Sequence, residues 1–381
     1  MAKARKPTPV SPFGDIRTVQ LLPEEWGHVR RILAVRLDNI GDVIMLGPAL
    51  RALRDNLPAA RITLMASPSG NQTAPLLPWV DDVIVWRAVW QDVSGDLPLD
   101  PARELELVAT LKKNQFDAAI VFTSFSQSPY PPAYACYLAG IPIRLGHSKE
   151  FGGSLLTHWF KPPPKSGHQV DRNLALLEQA GFTVQNRELE LHVLPEVQAR
   201  AELLLQEVGV APTTPFILLA PGASCAARRY DLQRYAVVAR SLSAEAGLPL
   251  VIAGSGREFE TLQSVISIAD QESVISLVGR TSVPELAAIV RRASLVLANN
   301  SACLHLADAF QRPMVITYSG TEHESQWRPR SSPARLLRRD TLCSPCYNFN
   351  CPYGMECLDI SPEEVVQAAL DLLFERQSQA T

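Results

Sequence analysis

The stretch RILAVRLDNIGDV, residues 31–43, decides the fold. Residues 32–35 form a short apolar run of the kind found in buried strands, and residues 37–41 are a polar turn. Apolar side chains then recur at helical spacing from Val43 to Asn56. A strand, a loop and a helix in this order are the repeating unit of α/β proteins, in which crossover helices join parallel strands. We therefore predict a parallel sheet that begins here.

Similar units continue along both halves of the chain. The other strand-like runs are residues 62–66, 82–86, 118–122, 216–220, 250–253, 274–278, 295–298 and 314–318. The helical patterns between them cover residues 101–114, 197–208, 232–246, 258–269, 283–292 and 302–310. The fold class predicted from this alternation is α/β, with two Rossmann-like, doubly wound domains that face each other across a cleft.

Proline-punctuated segments suggest where the domains begin and end. We expect a flexible arm over residues 1–28, an N-terminal domain over 29–195 and a linker region over 196–214. A C-terminal domain then covers 215–360, and 361–381 form a last helix and tail that could pack on either half. Two domains agree with a length of 381 residues.

Composition narrows the class of function. Hydrophobic residues make up 46% and charged residues 20% of the chain, and the formal net charge is -3, as in ordinary globular enzymes. No run approaches the roughly 20 apolar residues of a membrane-spanning helix, and the N-terminus has no apolar signal core, so we expect a cytoplasmic protein. The chain has no basic block that would indicate nucleic acid as a partner.

The turn after the first strand carries the first candidate for chemistry. Gly41 permits close backbone approach, and Asp42 stands at the start of the helix. Asp42 is either a helix cap or a general base that points into the cleft. The chain contains neither a G-x-G-x-x-G fingerprint nor a P-loop, which disfavours dehydrogenases and P-loop ATPases.

A second candidate follows the first strand of the C-terminal half. A loop of small residues with Gly222 and Ser224 precedes Arg228 and Arg229. Backbone N–H groups and a guanidinium together could hold a diphosphate. The alternative is a plain turn with two solvated arginines.

A third candidate lies where a later strand leads into a helix. Asn299, Asn300 and Ser301 could present the helix N-terminus to an anion, or they could simply cap the helix. His305, one turn further, is either part of this site or a packed core histidine. Glu258 follows another glycine-containing turn and could accept hydrogen bonds from ribose hydroxyls.

Four of the seven cysteines are close in sequence, namely Cys343, Cys346, Cys351 and Cys357. In a cytosolic protein such a cluster can hold structural zinc, remain as free thiols or, less commonly, form a disulfide. The sequence alone does not decide among these three alternatives.

Taken in order, these motifs resemble glycosyltransferase family 9, the bacterial lipopolysaccharide heptosyltransferases. The similar segments run from about residue 31 to 375 and are residues 36–43 with 48–50, 140–146, His168 with 173–174, 221–224, 299–307, 343–346 and 360–362. The resemblance implies a GT-B fold whose N-terminal domain receives a lipid-linked glycan acceptor and whose C-terminal domain binds a nucleotide sugar, typically ADP-heptose.

The resemblance also implies roles for individual residues. Asp42 matches the family's catalytic base in an inverting transfer, and Arg228 stands where the family usually has a lysine that stabilises the leaving diphosphate. Donor contacts would come from Ser224, Arg228, Arg229, Glu258, Asn299, Asn300, Ser301 and His305, while Gly41 and Gly222 would position loops. The chain departs from the family at residues 300–302, where Asn-Ser-Ala replaces an Asp-Thr/Ser-Gly step.

The expected activity is therefore heptose transfer to a cell-envelope glycan at the cytoplasmic face of the inner membrane, with transient membrane contact. The family needs no cofactor or catalytic metal, and the cleft loops contain no D-x-D step. The alternatives are a transferase or epimerase acting on another nucleotide sugar, or a non-catalytic sugar-nucleotide-binding protein.

Overall fold

The computed structural model describes residues 26–92, 95–268 and 274–379. Within them, the first sheet contains β1 (Arg31–Arg36), β2 (Arg61–Ala66), β3 (Asp82–Val85), β4 (Ala118–Val121), β5 (Ile143–His147) and β6 (His158–Phe160). The second sheet contains β7 (Ile217–Ala220), β8 (Leu250–Ile252), β9 (Val274–Ser276), β10 (Leu295–Asn299), β11 (Met314–Thr317) and β12 (Ala334–Leu337).

Both sheets have the doubly wound topology. Their strand orders are β3-β2-β1-β4-β5-β6 and β12-β11-β10-β7-β8-β9, and the paired strands are parallel. The order reverses between β1 and β4 and again between β7 and β10, which are the points where such sheets bind ligands. The predicted α/β class is confirmed.

The helices are α1 (Ile40–Ile44), α2 (Gly47–Asn56), α3 (Pro101–Asn114), α4 (Tyr130–Leu138), α5 (Gln169–Gln179), α6 (Pro195–Glu207), α7 (Leu232–Ala246), α8 (Phe259–Ile268), α9 (Val283–Arg292), α10 (Ala302–Ala309), α11 (Glu324–Trp327) and α12 (Pro362–Gln379). The prediction of one helix over 43–56 is wrong. Pro48 has no N–H and would clash with the carbonyl of Ile44 in a continuous helix, so the chain breaks between α1 and α2.

The expected linker and terminal segments both pack against the C-terminal half. α6 lies on α9, where Arg291 donates to Gln198 and Arg292 pairs with Glu202 at 2.8 Å. α12 packs on α7 and β11, which resolves where the last helix lies. No helix in the described part of the chain is long and apolar enough to cross a membrane.

The fold begins earlier than the sequence suggested. Trp26 is 2% exposed and packs edge-on against Phe182, with ring centroids 4.7 Å apart. It belongs to a hydrophobic core that continues from the first sheet into the second. Residues 1–25 of the expected arm lie outside the described residues.

Polar contacts also join the two halves. Arg330 pairs with Asp171 at 2.8 Å, and Nε2 of His168 lies 3.0 Å from the carbonyl oxygen of Arg328. His168 is the N-cap of α5, and Asp171 lies in its first turn. The two contacts hold the segment after α11 against the N-terminal half.

Three buried histidines should make the fold sensitive to acid. Burial lowers the pKa of His147 to about 3 and those of His168 and His305 to about 4, against an ordinary value of 6.5. Between pH 6.5 and 4 the unfolded chain binds more protons than the folded protein. The free energy of unfolding is therefore greatest above this pH range and falls as the pH is lowered through it. We expect each histidine to reduce the free energy of unfolding by on the order of 2 kcal/mol between pH 7 and 5.

Urea denaturation at both pH values measures this loss. His147→Gln should lessen the pH dependence because glutamine does not titrate. The same pH dependence in this variant and the unaltered protein would contradict the assignment.

Candidate active site

The N-terminal wall of the cleft is an ion-paired cluster at the end of β1. Arg36 is fully buried, and its Nη2 lies 2.8 Å from Oδ1 of Asp42 while its Nε lies 3.0 Å from Oδ2 of Asp38. Nη2 also donates to Oγ of Ser124 in the loop after β4, at 2.8 Å. One guanidinium thus serves two carboxylates. Burial raises the pKa of Asp38, with Arg36 opposing this shift and Asp42 adding to it.

Asp42 caps its own helix and keeps part of its side chain exposed. It is the third residue of α1, and its Oδ2 accepts from the backbone N–H of Asn39 at 3.2 Å, which completes a capping box. Its side chain is still 16% exposed. The capping interpretation is therefore correct in geometry, and the partial exposure leaves the role of a base as a prediction.

The C-terminal wall is built around Arg228. This side chain donates from Nε to Oγ1 of Thr321 at 3.3 Å and pairs through Nη2 with Oε1 of Glu322 at 2.5 Å. Arg229 turns elsewhere, and its Nε and Nη2 donate to the carbonyl of Ala223 at 3.1 and 3.0 Å. The two arginines therefore differ: Arg228 faces the loop after β11, whereas Arg229 braces its own loop.

Asn299 ties the strand ends together beneath the site. It has no exposed surface, and its Oδ1 accepts from the N–H of Tyr230 at 3.0 Å and from Thr317 at 2.8 Å. Its Nδ2 donates to the carbonyl of Pro221 at 2.6 Å. The structure thus gives Asn299 a supporting role in place of the predicted contact with the nucleotide.

Asn300 presents a free amide donor at the N-terminus of α10. Its Oδ1 accepts from the N–H and the hydroxyl of Ser319, both at 3.2 Å, which fixes the orientation of the amide. Its Nδ2 is buried, and nothing in the described part of the chain accepts from it. Ser301 is the helix N-cap in extended conformation and makes no side-chain cap bond. An oxygen of a ligand could accept a hydrogen bond from Nδ2 of Asn300.

His305 lies where the two walls meet. It is 7% exposed, and its ring packs against Gly41 of α1. Burial is the largest cause of its lowered pKa, the charge of Arg228 adds to that shift and the charge of Asp42 opposes it. One imidazole therefore lies near both predicted catalytic side chains, Asp42 from the N-terminal half and Arg228 from the C-terminal half.

Two glycines permit these close approaches. A Cβ at Gly41 would lie 2.6 Å from Cδ2 of His305, and one at Gly222 would lie 2.1 Å from Oε1 of Glu258. The other carboxylate oxygen of Glu258 accepts from the N–H of Ser255 at 2.8 Å as a helix cap. Glu258 and the small-residue loop are therefore neighbours, and Ser224 lies exposed in that loop. Their contacts with ribose and diphosphate stay predictions.

Gly41→Ala should destabilise the fold. Alanine in a helix is normally better than glycine, but the buried imidazole of His305 has little room to retreat from the new methyl group. We expect a loss of about 1–3 kcal/mol in unfolding free energy, measured by urea denaturation. Gly256→Ala is the control, since its Cβ would meet only the Cα of Gly279 at 3.8 Å. Equal stability of the two variants would contradict this packing account.

The cysteine loop, defined as residues 341–357, packs behind the C-terminal wall. The N–H groups of Cys346 and Tyr347 donate to the carbonyls of Gly320 and Thr321 at 3.0 and 2.9 Å. The four clustered thiols line one small cavity and are not disulfide-bonded. In the described part of the chain, no three histidine, cysteine or acidic side chains are placed to hold a metal ion.

Arg36, Thr321 and Glu322 belong to the site but were not among the predicted site residues. Arg36 is the last residue of β1, and Thr321 and Glu322 lie in the loop after β11. The available signal was their position, because the carboxyl ends of neighbouring parallel strands gather functional groups at one edge of a sheet.

The sequence matches the model of a known protein family. Residues 105–356 match the family model for glycosyltransferase family 9 (heptosyltransferase), which covers more than half of the chain. The chain belongs to glycosyltransferase family 9. It is accordingly a glycosyltransferase of the heptosyltransferase family, and the two doubly wound sheets are those of the GT-B fold.

Individual relatives of this family 9 chain are distant but cover three quarters of it or more. Lipopolysaccharide heptosyltransferase 2 of Escherichia coli is 24% identical over 91% of this chain and 100% of its own length. Lipopolysaccharide heptosyltransferase 3 of the same species is 24% identical over 76% of this chain and 82% of its own.

Solved structures agree on the fold. The E. coli ADP-heptose lipopolysaccharide heptosyltransferase II superposes with a TM-score of 0.72 at 22% identity, covering 91% of this chain and 99% of that one. A family 9 protein of Veillonella parvula gives 0.71 at 23% identity, covering 91% and 97%. At these identities the likeness concerns the fold.

Proposed function

We propose that this enzyme transfers a heptose from ADP-heptose to a lipopolysaccharide-core or related cell-envelope glycan, with inversion at the anomeric carbon. The observation that carries the proposal is that His305, whose ring packs against Gly41, lies near both Asp42 of the N-terminal half and Arg228 of the C-terminal half. An inverting transfer needs groups on both sides of the reacting carbon, since the base and the leaving group stand on opposite sides of it. The names of the relatives, which include lipopolysaccharide heptosyltransferases 2 and 3, support the donor and acceptor classes.

In the proposed reaction Asp42 takes the proton of the acceptor hydroxyl as its oxygen attacks C1 of the sugar. The bond from C1 to the diphosphate oxygen breaks at the same time, and ADP leaves. Arg36 holds Oδ1 of Asp42 at 2.8 Å and so fixes the direction of the carboxylate. A base held in position is the main contribution that a side chain makes to such a proton transfer.

The leaving diphosphate gains negative charge as the bond breaks. Arg228 offers fixed positive charge, and the first turn of α10 offers unpaired N–H groups at the positive end of the helix dipole. These groups can neutralise the diphosphate, so we propose that catalysis is metal-independent. The neutral imidazole of His305 packs between the walls and contributes shape more than charge.

The site of action that we propose is the cytoplasmic face of the inner membrane, because the acceptor would be anchored in lipid. The contact with the membrane would be transient. A second candidate is transfer of a different sugar, which the free amide of Asn300 favours. An amide nitrogen donates where the family's usual carboxylate accepts, so it would contact a different group on the donor.

Calorimetric titration with ADP, UDP and GDP in the presence of a chelator tests the donor assignment. Selective ADP binding that survives chelation is expected. Preference for UDP or GDP would favour the second candidate, and binding of none of the three would contradict a sugar-nucleotide transferase.

A further inference from the structure

Glu322 is a carboxylate in the part of the site where the proposed function needs to hold an anion. It follows β11 in the loop 318–323, and its Oε1 lies 2.5 Å from Nη2 of Arg228. The two side chains are 19% and 22% exposed, so the pair is largely shielded from water. Arg228 is thus already occupied by an internal anion.

A carboxylate and a phosphate compete for the same guanidinium. Both present oxygens that match its planar fork of N–H donors, and a bound Glu322 takes Nη2 away from a diphosphate. Charge adds to the competition. Glu322 offsets the charge of Arg228, and Asp42, which is close enough to affect Glu322, is itself paired with Arg36. These two ion pairs leave an entering anion no uncompensated guanidinium among the four side chains.

The backbone just before Glu322 is fixed by hydrogen bonds, whereas the Glu322 side chain is partly exposed to solvent. The cysteine loop fixes Gly320 and Thr321 through the two backbone hydrogen bonds described above. The following residue, His323, is exposed. A rotation of the Glu322 side chain toward solvent would therefore free Arg228 without moving the loop.

We propose that Glu322 is an anionic placeholder, which pairs with Arg228 in the empty enzyme, yields to the donor diphosphate and pairs again as the nucleoside diphosphate leaves. This inference rests on the proposed role of Arg228 in holding the diphosphate. Glu322 is a positioning residue in this account, because it acts through Arg228 and touches no reacting atom.

The decisive experiment compares ADP binding by the unaltered enzyme, Glu322→Gln and Glu322→Ala. Both substitutions remove the competing charge and should tighten ADP binding by about tenfold, mainly through slower dissociation. Glu324→Gln is the matched control, since Glu324 lies 3.8 Å from Arg338 and should leave ADP affinity unchanged within about twofold. Equal or weaker ADP binding by both Glu322 variants would overturn the proposal.

The pH dependence gives a readout that mere structural damage would not produce. Arg228, Asp42, Cys225 and Tyr318 face Glu322, and among these burial raises the pKa values of the thiol and the phenol, so they stay neutral below pH 8. Burial and Asp42 raise the pKa of Glu322, against the opposing effect of Arg228. As the pH falls from 8 to 5.5, ADP affinity should therefore rise more in the unaltered enzyme than in Glu322→Gln. Identical pH profiles would contradict the placeholder role.

The outcome separates this inference from the proposed function. If Arg228→Ala weakens ADP binding while the Glu322 variants bind like the unaltered enzyme, the placeholder is wrong and the transferase mechanism stands. If Arg228→Ala has no effect on ADP binding, the role of Arg228 fails and the placeholder fails with it.

Discussion

Asp42→Asn should reduce turnover by about 10²–10⁴-fold while ADP binding remains within about twofold of the unaltered enzyme. Asparagine has nearly the same shape, and its oxygen can still accept from Arg36 or from the N–H of Asn39, so α1 should keep its start. What is lost is the ability to take a proton from the acceptor. Single-turnover rates with saturating donor measure the effect on chemistry directly.

Asp38→Asn is the matched control for this variant. Asp38 pairs with the same Arg36, lies four residues earlier and has the same side chain. If Asp42 acts as the base, Asp38→Asn should cost less than tenfold in rate. Equal losses in the two variants would mean that the charge of the cluster matters and that Asp42 has no special role.

Arg228→Ala should have the second large effect, a loss of about 10²–10³-fold in kcat together with weaker ADP binding. The guanidinium meets charge that grows as the diphosphate leaves, so its removal acts more strongly on the transition state than on the bound donor. Steady-state kinetics and calorimetry separate the two effects. Arg228→Lys should recover part of the rate because it keeps the charge and loses the planar fork.

Arg229→Ala provides the comparison on the neighbouring residue. Its guanidinium braces the carbonyl of Ala223, so the variant should loosen the loop and lose much less activity than Arg228→Ala. The reverse order of effects would contradict the assignment of Arg228 to the diphosphate.

Most strands of the two sheets could be predicted because the central strands are buried on both faces and are therefore apolar runs. β5 was not predicted because it contains Arg144 and His147, which are buried but polar. β12 was missed for a different reason. It is an edge strand of four residues, each only partly buried, and its sequence has no strong pattern.

The candidate site was only partly predictable. Asp42 and Arg228 follow strands and stand in recognisable motifs, so the sequence pointed to both. Glu322 lies in a loop whose partner, Arg228, follows β7 and is distant in sequence: Arg228 and the neighbouring Thr321 are 93 residues apart. The residue type of Asn299 suits ligand binding, but packing between the strand ends buries its side chain. The sequence alone does not reveal this burial.

The most direct test of the central claim is a transfer reaction with ADP-heptose and a heptose-accepting lipopolysaccharide core in the presence of a chelator. Mass spectrometry detects the added heptose, and NMR of the product assigns its anomeric configuration. We expect release of ADP, transfer that the chelator does not affect, and an anomeric configuration opposite to that of the donor. Transfer with retained configuration, transfer that requires a metal ion, or no transfer from ADP-heptose would contradict the account.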